Sequence, residues 1–459
     1  MGGLQWTTLA ALTAHNTSAN PAYNKANFPA NFTGESMLSQ SGTMEAVDST
    51  KSDDSFNPVT PCHVSKLSVH TLFPNYKGKI ISLCVPYNYG GNHINVGINN
   101  LTEAQAEAAM LNEQMIGADG ITIDWYGPNR AEDTISLLWK AQIEAMQNFT
   151  FALMIDTSGG SYSTTAELIA YLAYAKATYF SSKAYRTYNG LPILYLWGSP
   201  VPGVNYPQAL ATVGPMYVIG QGPSALAWVY CNAGFDWVQP YLNGVVAADP
   251  YNLEAKQSFI NNYKGAAKGC VLALSSRFNG TLTKTKAWSE GKMLPGNYGG
   301  CWLSQAALIN ANLLPNLVEI MLATGCAGDW EEGTQLAGGI DNGITVNASL
   351  NGSMLSWTVS GGLGNESTIS KYMILAQMVG EVPNDTAIIA TQTLGWPKSL
   401  DLSTVSGLPP GNYQLYVYAV GMPCVRNQIS APIPYTVASQ SMTGTFTGTF
   451  VGTFTPSGS

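Results

Sequence analysis

The chain has 459 residues, 46% of them hydrophobic, with 20 Lys and Arg against 28 Asp and Glu and a formal net charge of −8, a length that allows about two or three domains with sizeable cores. No basic stripe of the kind a phosphate backbone requires is visible, and no apolar run reaches the length of a membrane span, so neither nucleic acid nor a bilayer core is an expected partner. Charged residues make up only 10% while aromatics make up another 10%, a balance that suits neutral polar ligands with C–H faces and hydroxyls.

Residues 1–65 are polar, rich in Asn, Ser and Pro, and show no sustained period; they read as an extended arm. The start, Met1-Gly2-Gly3-Leu4-Gln5-Trp6, has no basic n-region and only a short apolar part up to Ala11, so no clear signal peptide is expected. From there short β-type apolar runs alternate with longer helical stretches, the mark of parallel βα units. The runs are Lys79–Tyr87, Gly120–Tyr126, Phe149–Asp156, Leu191–Trp197, Met216–Gln221, Gly234–Tyr241, Gly269–Ser275 and Leu317–Ala323. The segments between them are long enough for a helix each. Thr102-Glu103-Ala104-Gln105 reads as a capping-box start for the first helix, and Ile135–Phe149 and Thr164–Phe180 as two more. Eight strands with crossovers predict a (β/α)8 TIM barrel over residues 66–340, because an open doubly wound sheet needs a Gly-rich turn that Tyr87-Asn88-Tyr89-Gly90-Gly91-Asn92 does not supply.

After Ile340-Asp341-Asn342-Gly343 the pattern changes to period two, in Met354–Val359, Ser370–Leu375 and Asn412–Val420, with Gly, Pro and Asn turns between. Residues 341–438 therefore predict a β-sandwich of fibronectin type that is separable from the barrel. Residues 439–459, with Thr-Gly-Thr-Phe recurring, read as a low-complexity tail. The seven cysteines are scattered and form no Cys-x-x-Cys pair, which disfavours a zinc site or a disulfide framework; Cys84 and Cys270 read as buried thiols, and Cys62 or Cys424 could join a bridge. Asn-x-Ser/Thr sequons hint at export.

Polar and aromatic residues gather where the runs end, and in a barrel those ends converge on one face. The first run ends in Tyr87. The second ends in Asp124-Trp125-Tyr126, the third in Asp156 and the fourth in Trp197. The sixth carries Asp236 and Trp237, and the last leads into Asp329, Glu331 and Glu332. Acids beside Trp and Tyr on one rim suit a sugar: carboxylates accept from its hydroxyls, rings cover its C–H faces, and paired carboxylates cleave its glycosidic bond. Plainer readings stand beside this one. Asp124 could cap the next element, Asp156 could form a turn, Asp236 inside its strand could be buried structure, and Asp329-x-x-Glu332 could be an N-cap box.

The segments His63–His70, Gly120-Ile121-Thr122-Ile123-Asp124-Trp125-Tyr126-Gly127-Pro128, and Asp329-Trp330-Glu331-Glu332-Gly333-Thr334 running on to Asn342 resemble those of glycoside hydrolase family 71, the α-1,3-glucanases or mutanases, and their bacterial relatives. More distantly the chain is similar to the endo-α-mannosidases of family 99. The likeness spans roughly residues 62–435. It implies that Asp329 and Glu332 are the catalytic acid and base, since the family places an Asp and a Glu three apart after its last barrel strand. Where the family has Trp-Asn before this motif, the chain has Ala327-Gly328. The expected function is inverting hydrolysis of an α-linked polysaccharide, α-1,3-glucan first, with Asp124, Trp125, Tyr126, Asp156, Tyr87, Trp197, Asp236, Trp237 and Glu331 binding substrate. The alternative is a non-catalytic carbohydrate-binding or cell-surface protein on a degenerate barrel. The expected setting is secreted or periplasmic and monomeric, and such chemistry needs no metal or organic cofactor.

Overall fold

Strands come first because their sequences leave little choice. Ile-Ile-Ser-Leu-Cys, Gly-Ile-Thr-Ile-Asp-Trp and Gly-Cys-Val-Leu-Ala-Leu are buried on both faces, as strands of a parallel sheet wrapped by helices must be. The computed structural model describes residues 65, 67–86, 103–157, 162–236, 251–276, 278–279, 293–294, 299–323, 340, 342–362, 365–379 and 388–438. Eight parallel strands are β1 (Lys79–Cys84), β2 (Gly120–Trp125), β3 (Thr150–Asp156), β4 (Leu191–Trp197), β5 (Tyr217–Gln221), β6 (Ala233–Phe235), β7 (Gly269–Leu274) and β8 (Leu317–Leu322). They run in the order β3-β2-β1-β8-β7-β6-β5-β4, and β3 pairs with β4 to close the ring. The barrel foreseen from the apolar runs is therefore present. Strands β3, β4 and β5 end where their apolar runs end, β1, β2, β7 and β8 stop one to three residues earlier, and β6 is shorter still. Gly120 shows how tightly neighbours approach: a Cβ there would lie 2.1 Å from the Thr150 carbonyl oxygen of β3.

Helices α1 (Glu103–Met115), α2 (Ala131–Ala145), α3 (Thr165–Ala175), α4 (Tyr206–Val213), α5 (Leu253–Tyr263) and α6 (Gly300–Ala311) cover the barrel. A capping box joins Thr164 and Glu167 at the start of α3, each satisfying an amide that the first turn leaves free. The run expected to stay helical to Phe180 loosens into a π turn at Lys176–Phe180. Helix α2 starts at Ala131, four residues before the expected Ile135, and carries Glu132 and Asp133 in its first turn, where the helix dipole favours negative charge. The expectation of a helix in every crossover fails between β5 and β6, which holds a single 3₁₀ turn, Pro223–Leu226. Rings do the covering there instead. Tyr206, Tyr230 and Trp228 form a stack, and Trp228 packs so close to Gly220 that a Cβ would lie 2.9 Å from its ring.

Beyond the barrel, β9 (Ile344–Asn351), β10 (Met354–Gly361) and β13 (Ser399–Asp401) make one antiparallel sheet, while β11 (Ile369–Met378), β12 (Ile388–Thr393), β14 (Gly411–Gly421), β15 (Gln428–Ile429) and β16 (Ile433–Val437) make another. Ile344, Val346, Leu355 and Trp357 from the first sheet share one core with Tyr372, Ile374, Leu415 and Val417 from the second, so the two sheets face each other. The strap before β15 also belongs to the barrel. Cys424 and Val425 are fully buried in the barrel core. Trp302 Nε1 of α6 donates to Pro423 O at 3.1 Å, and the amides of Ser65 and Ile340 donate to Val425 O and Cys424 O. Cys84, Cys231, Cys270, Cys301 and Cys424 are all buried thiols outside any disulfide; Cys84 and Cys270 match their expected role, and Cys424 joins no bridge. Burial pushes the Cys270 thiol up to about 12, with Asp236 adding to it.

Candidate active site at the mouth of the barrel

Side chains alternate in and out along each strand, and ring and ion contacts reveal which parity faces inward. At the lower end, Glu319 of β8 meets Arg186, with Nε–Oε2 at 2.9 Å and Nη2–Oε1 at 3.3 Å. Tyr195 of β4 donates to the same carboxylate, and Arg186 Nη2 donates to Thr122 Oγ1 of β2 at 2.6 Å. Thr122, Tyr195 and Glu319 therefore point into the lumen. Two residues further along the same strands stand Asp124 and Trp197. Both sit at the carboxyl ends of the strands, where barrel enzymes place their chemistry.

At this mouth the side chains are held but not sealed. Tyr126 Oη donates to Asp124 Oδ2 at 3.1 Å. Asp156 of β3 pairs in register with Trp197 of β4, so the two project side by side. Asp124 is 9% exposed and Asp156 6%, while Trp197 is half-buried with its ring stacked on Phe235 of β6 at 5.9 Å and 29°. Tyr162, ahead of α3, lies near Asp156; burial first, then its bond to Tyr206 and the nearby charge, raise its phenol far above the ordinary range. Two pairs thus stand at the mouth, Asp124 with Tyr126 and Asp156 with Trp197.

Two expected contacts are corrected. Trp125 does not face the mouth. It is fully buried on the outside of β2, stacked on Tyr174 at 6.0 Å and 4° and edge-on to Tyr179. Its Nε1 donates to Asp133 Oδ1 of α2 at 2.7 Å. Tyr174 and Tyr179 donate to the same carboxylate, so Asp133 ties three rings to α2. Parity explains this: Asp124 and Trp125 are consecutive in one strand and cannot both face inward. Asp236 is the second. Phe235 faces the lumen, so Asp236 turns outward, where Lys256 of α5 donates to it at 2.5 Å. Burial lifts its carboxyl above the usual aspartate range against the pull of Lys256, and both side chains are closed off from solvent. That is a strand-to-helix pin. Tyr87, Trp237, Asp329, Glu331 and Glu332 lie outside the described residues.

Thr157, one residue past the third apolar run, is a further mouth residue. Thr157 N and Oγ1 both donate to Trp197 O, at 3.1 Å and 2.6 Å, and Gln221 Oε1 accepts from Gly198 N at 2.7 Å. A polar residue directly after an inward aspartate was the available signal.

No protein-family model matches the chain, and no curated protein matches it. Solved structures do. A family 99 endo-α-mannosidase from Bacteroides thetaiotaomicron is similar at 13% identity over 57% of this chain and 88% of its own, with a TM-score of 0.42. A protein described as glycoside hydrolase-like follows at 11% identity, 59% and 92% coverage and a TM-score of 0.41. A β-glucuronidase from Parabacteroides merdae matches at 8% identity over 81% of this chain and 50% of its own, with a TM-score of 0.34. At such values the fold rests on the strand order of this chain itself.

Proposed function

We propose that the protein is a glycoside hydrolase acting on a neutral α-linked polysaccharide, with α-1,3-glucan the first candidate. The observation that carries this reading is the mouth itself: Asp156 pairs in register with the half-buried Trp197 at the carboxyl ends of β3 and β4, and Asp124, bonded to Tyr126, stands near the carboxyl end of β2. A half-buried ring with a carboxylate alongside suits a pyranose, whose C–H face stacks on the ring as its hydroxyls donate to the acid. In this proposal Asp124 and Asp156 hold hydroxyls, and Tyr126 keeps the Asp124 carboxylate oriented. Asp329 and Glu332 supply the acid that protonates the leaving oxygen and the base that activates water. In this proposal the chain meets its polymer outside the cytoplasm and acts as a monomer.

The test is a panel of α-1,3-, α-1,4- and α-1,6-glucans and α-mannans, with the anomer first released followed by NMR. Single displacement on an α-linked glucan releases the β anomer first. An α anomer would end the inverting mechanism, and the absence of release from every polymer would end the enzyme reading. The Ala327-Gly328 pair, in place of Trp-Asn, favours a second reading as a carbohydrate-binding protein without turnover. Affinity electrophoresis through the same glucans separates the two, since retardation without reducing-sugar release belongs to the second alone.

A further inference from the structure

The backbone that follows the Trp197 Cα is held by two side chains in addition to the strand ladder. The Trp197 carbonyl accepts from both the amide and the hydroxyl of Thr157, at 3.1 Å and 2.6 Å, and the same hydroxyl lies 3.1 Å from Ser199 O. One residue on, the Gly198 amide donates to the Gln221 side chain at 2.7 Å. The peptide unit between Trp197 and Gly198 is thereby tied at both ends, its carbonyl to the residue that follows β3 and its amide to the last residue of β5. Gly198 leaves the strand at a φ of 86°, a value that glycine alone adopts easily, so the chain turns away immediately after the ring. Phe235 backs the indole from across the lumen.

We propose that Thr157 and Gln221 are positioning residues that hold Trp197 as a preset platform for one pyranose ring, with Asp156 alongside taking a hydroxyl of the same sugar. The proposal rests on the carbohydrate reading above. Its physical basis is preorganisation: a ring already fixed in its binding pose loses little freedom when the sugar arrives, so the tether appears in binding rather than in the chemical step.

The experiment uses the full chain and a short soluble α-1,3-gluco-oligosaccharide. Thr157→Val removes the hydroxyl at nearly constant shape and raises KM about tenfold with kcat within about twofold, while Thr157→Ser restores KM. Gln221→Leu acts in the same direction. Labelling with 5-fluorotryptophan, with Trp197→Phe assigning the resonance, gives a readout without ligand: the Trp197 line shifts or broadens in Thr157→Val and matches wild type in Thr157→Ser. An unmoved line overturns the tether, whatever the kinetics. A moved line with unchanged KM, or Trp197→Phe with wild-type KM, overturns the platform. If the wild-type protein neither binds nor cleaves any glucan or mannan, the carbohydrate reading falls and takes the sugar platform with it, while the resonance still decides the tether.

Discussion

The two ends of the barrel lumen are built from the same strands and the same parity, yet they treat polar groups differently. At the lower end, Thr122, Tyr195 and Glu319 are locked to Arg186 by side-chain contacts, and Arg186 and Glu319 are 4% and 2% exposed. At the mouth, two residues on, Asp124 and Asp156 are also buried, but Trp197 is only half-buried: its carbonyl and its neighbour's amide are tied by side chains, and its ring stacks on Phe235. Saturated side chains mark structure, whereas a fixed backbone beneath an open side chain marks a site.

The comparison is broken most decisively at the acids that follow β8. Asp329→Asn and Glu332→Gln each lower turnover by about two to four orders of magnitude with little change in melting temperature. Mutants that hydrolyse normally would hand the chemistry to Asp124 and Asp156. Ending the chain at Ile340 strips Cys424 and Val425 from the barrel core, at roughly 1.5–3 kcal/mol for each such buried group, so urea denaturation shows a barrel several kcal/mol weaker or unfolded. A truncated chain as stable as the whole would restore a separable β domain. At the lower end, Arg186→Met leaves the Glu319 charge buried without its partner and destabilises by about 3–5 kcal/mol, while KM, measured on whatever remains folded, stays at the wild-type value.

Smaller effects sharpen the contrast between inside and outside. Trp125→Phe removes the indole donor to Asp133 and costs about 1–3 kcal/mol in a urea melt without changing KM; a raised KM would return Trp125 to the mouth. The smallest effect lies in the β domain at Glu366. Burial pushes its carboxyl up, but Tyr372 and Lys398, at 2.5 Å and 2.9 Å, more than offset this and hold it below its ordinary value. A folded pKa below the unfolded one contributes stability above about pH 4.3 that is lost as pH falls through the folded value. Melting temperatures of wild type and Glu366→Gln therefore converge as pH drops through the acid range, and parallel curves would remove Glu366 from the acid response.

The amino-acid order by itself determined the eight strands, the switch to antiparallel sheets near residue 340, and the strand ends that carry Asp124, Asp156 and Trp197. Strands buried on both faces must be apolar throughout, and parallel strands deliver their carboxyl ends to one side. Alternation within β2 was also readable, since Asp124 and Trp125 could not share a face. The partners were not. Lys256 meets Asp236 across 20 residues, Arg186 meets Glu319 across 133, and Pro423 meets Trp302 across 121. Only barrel closure and the docking of the second domain decided those pairings, because hydrogen bonds and charges act over a few ångströms of space and are blind to separation along the chain.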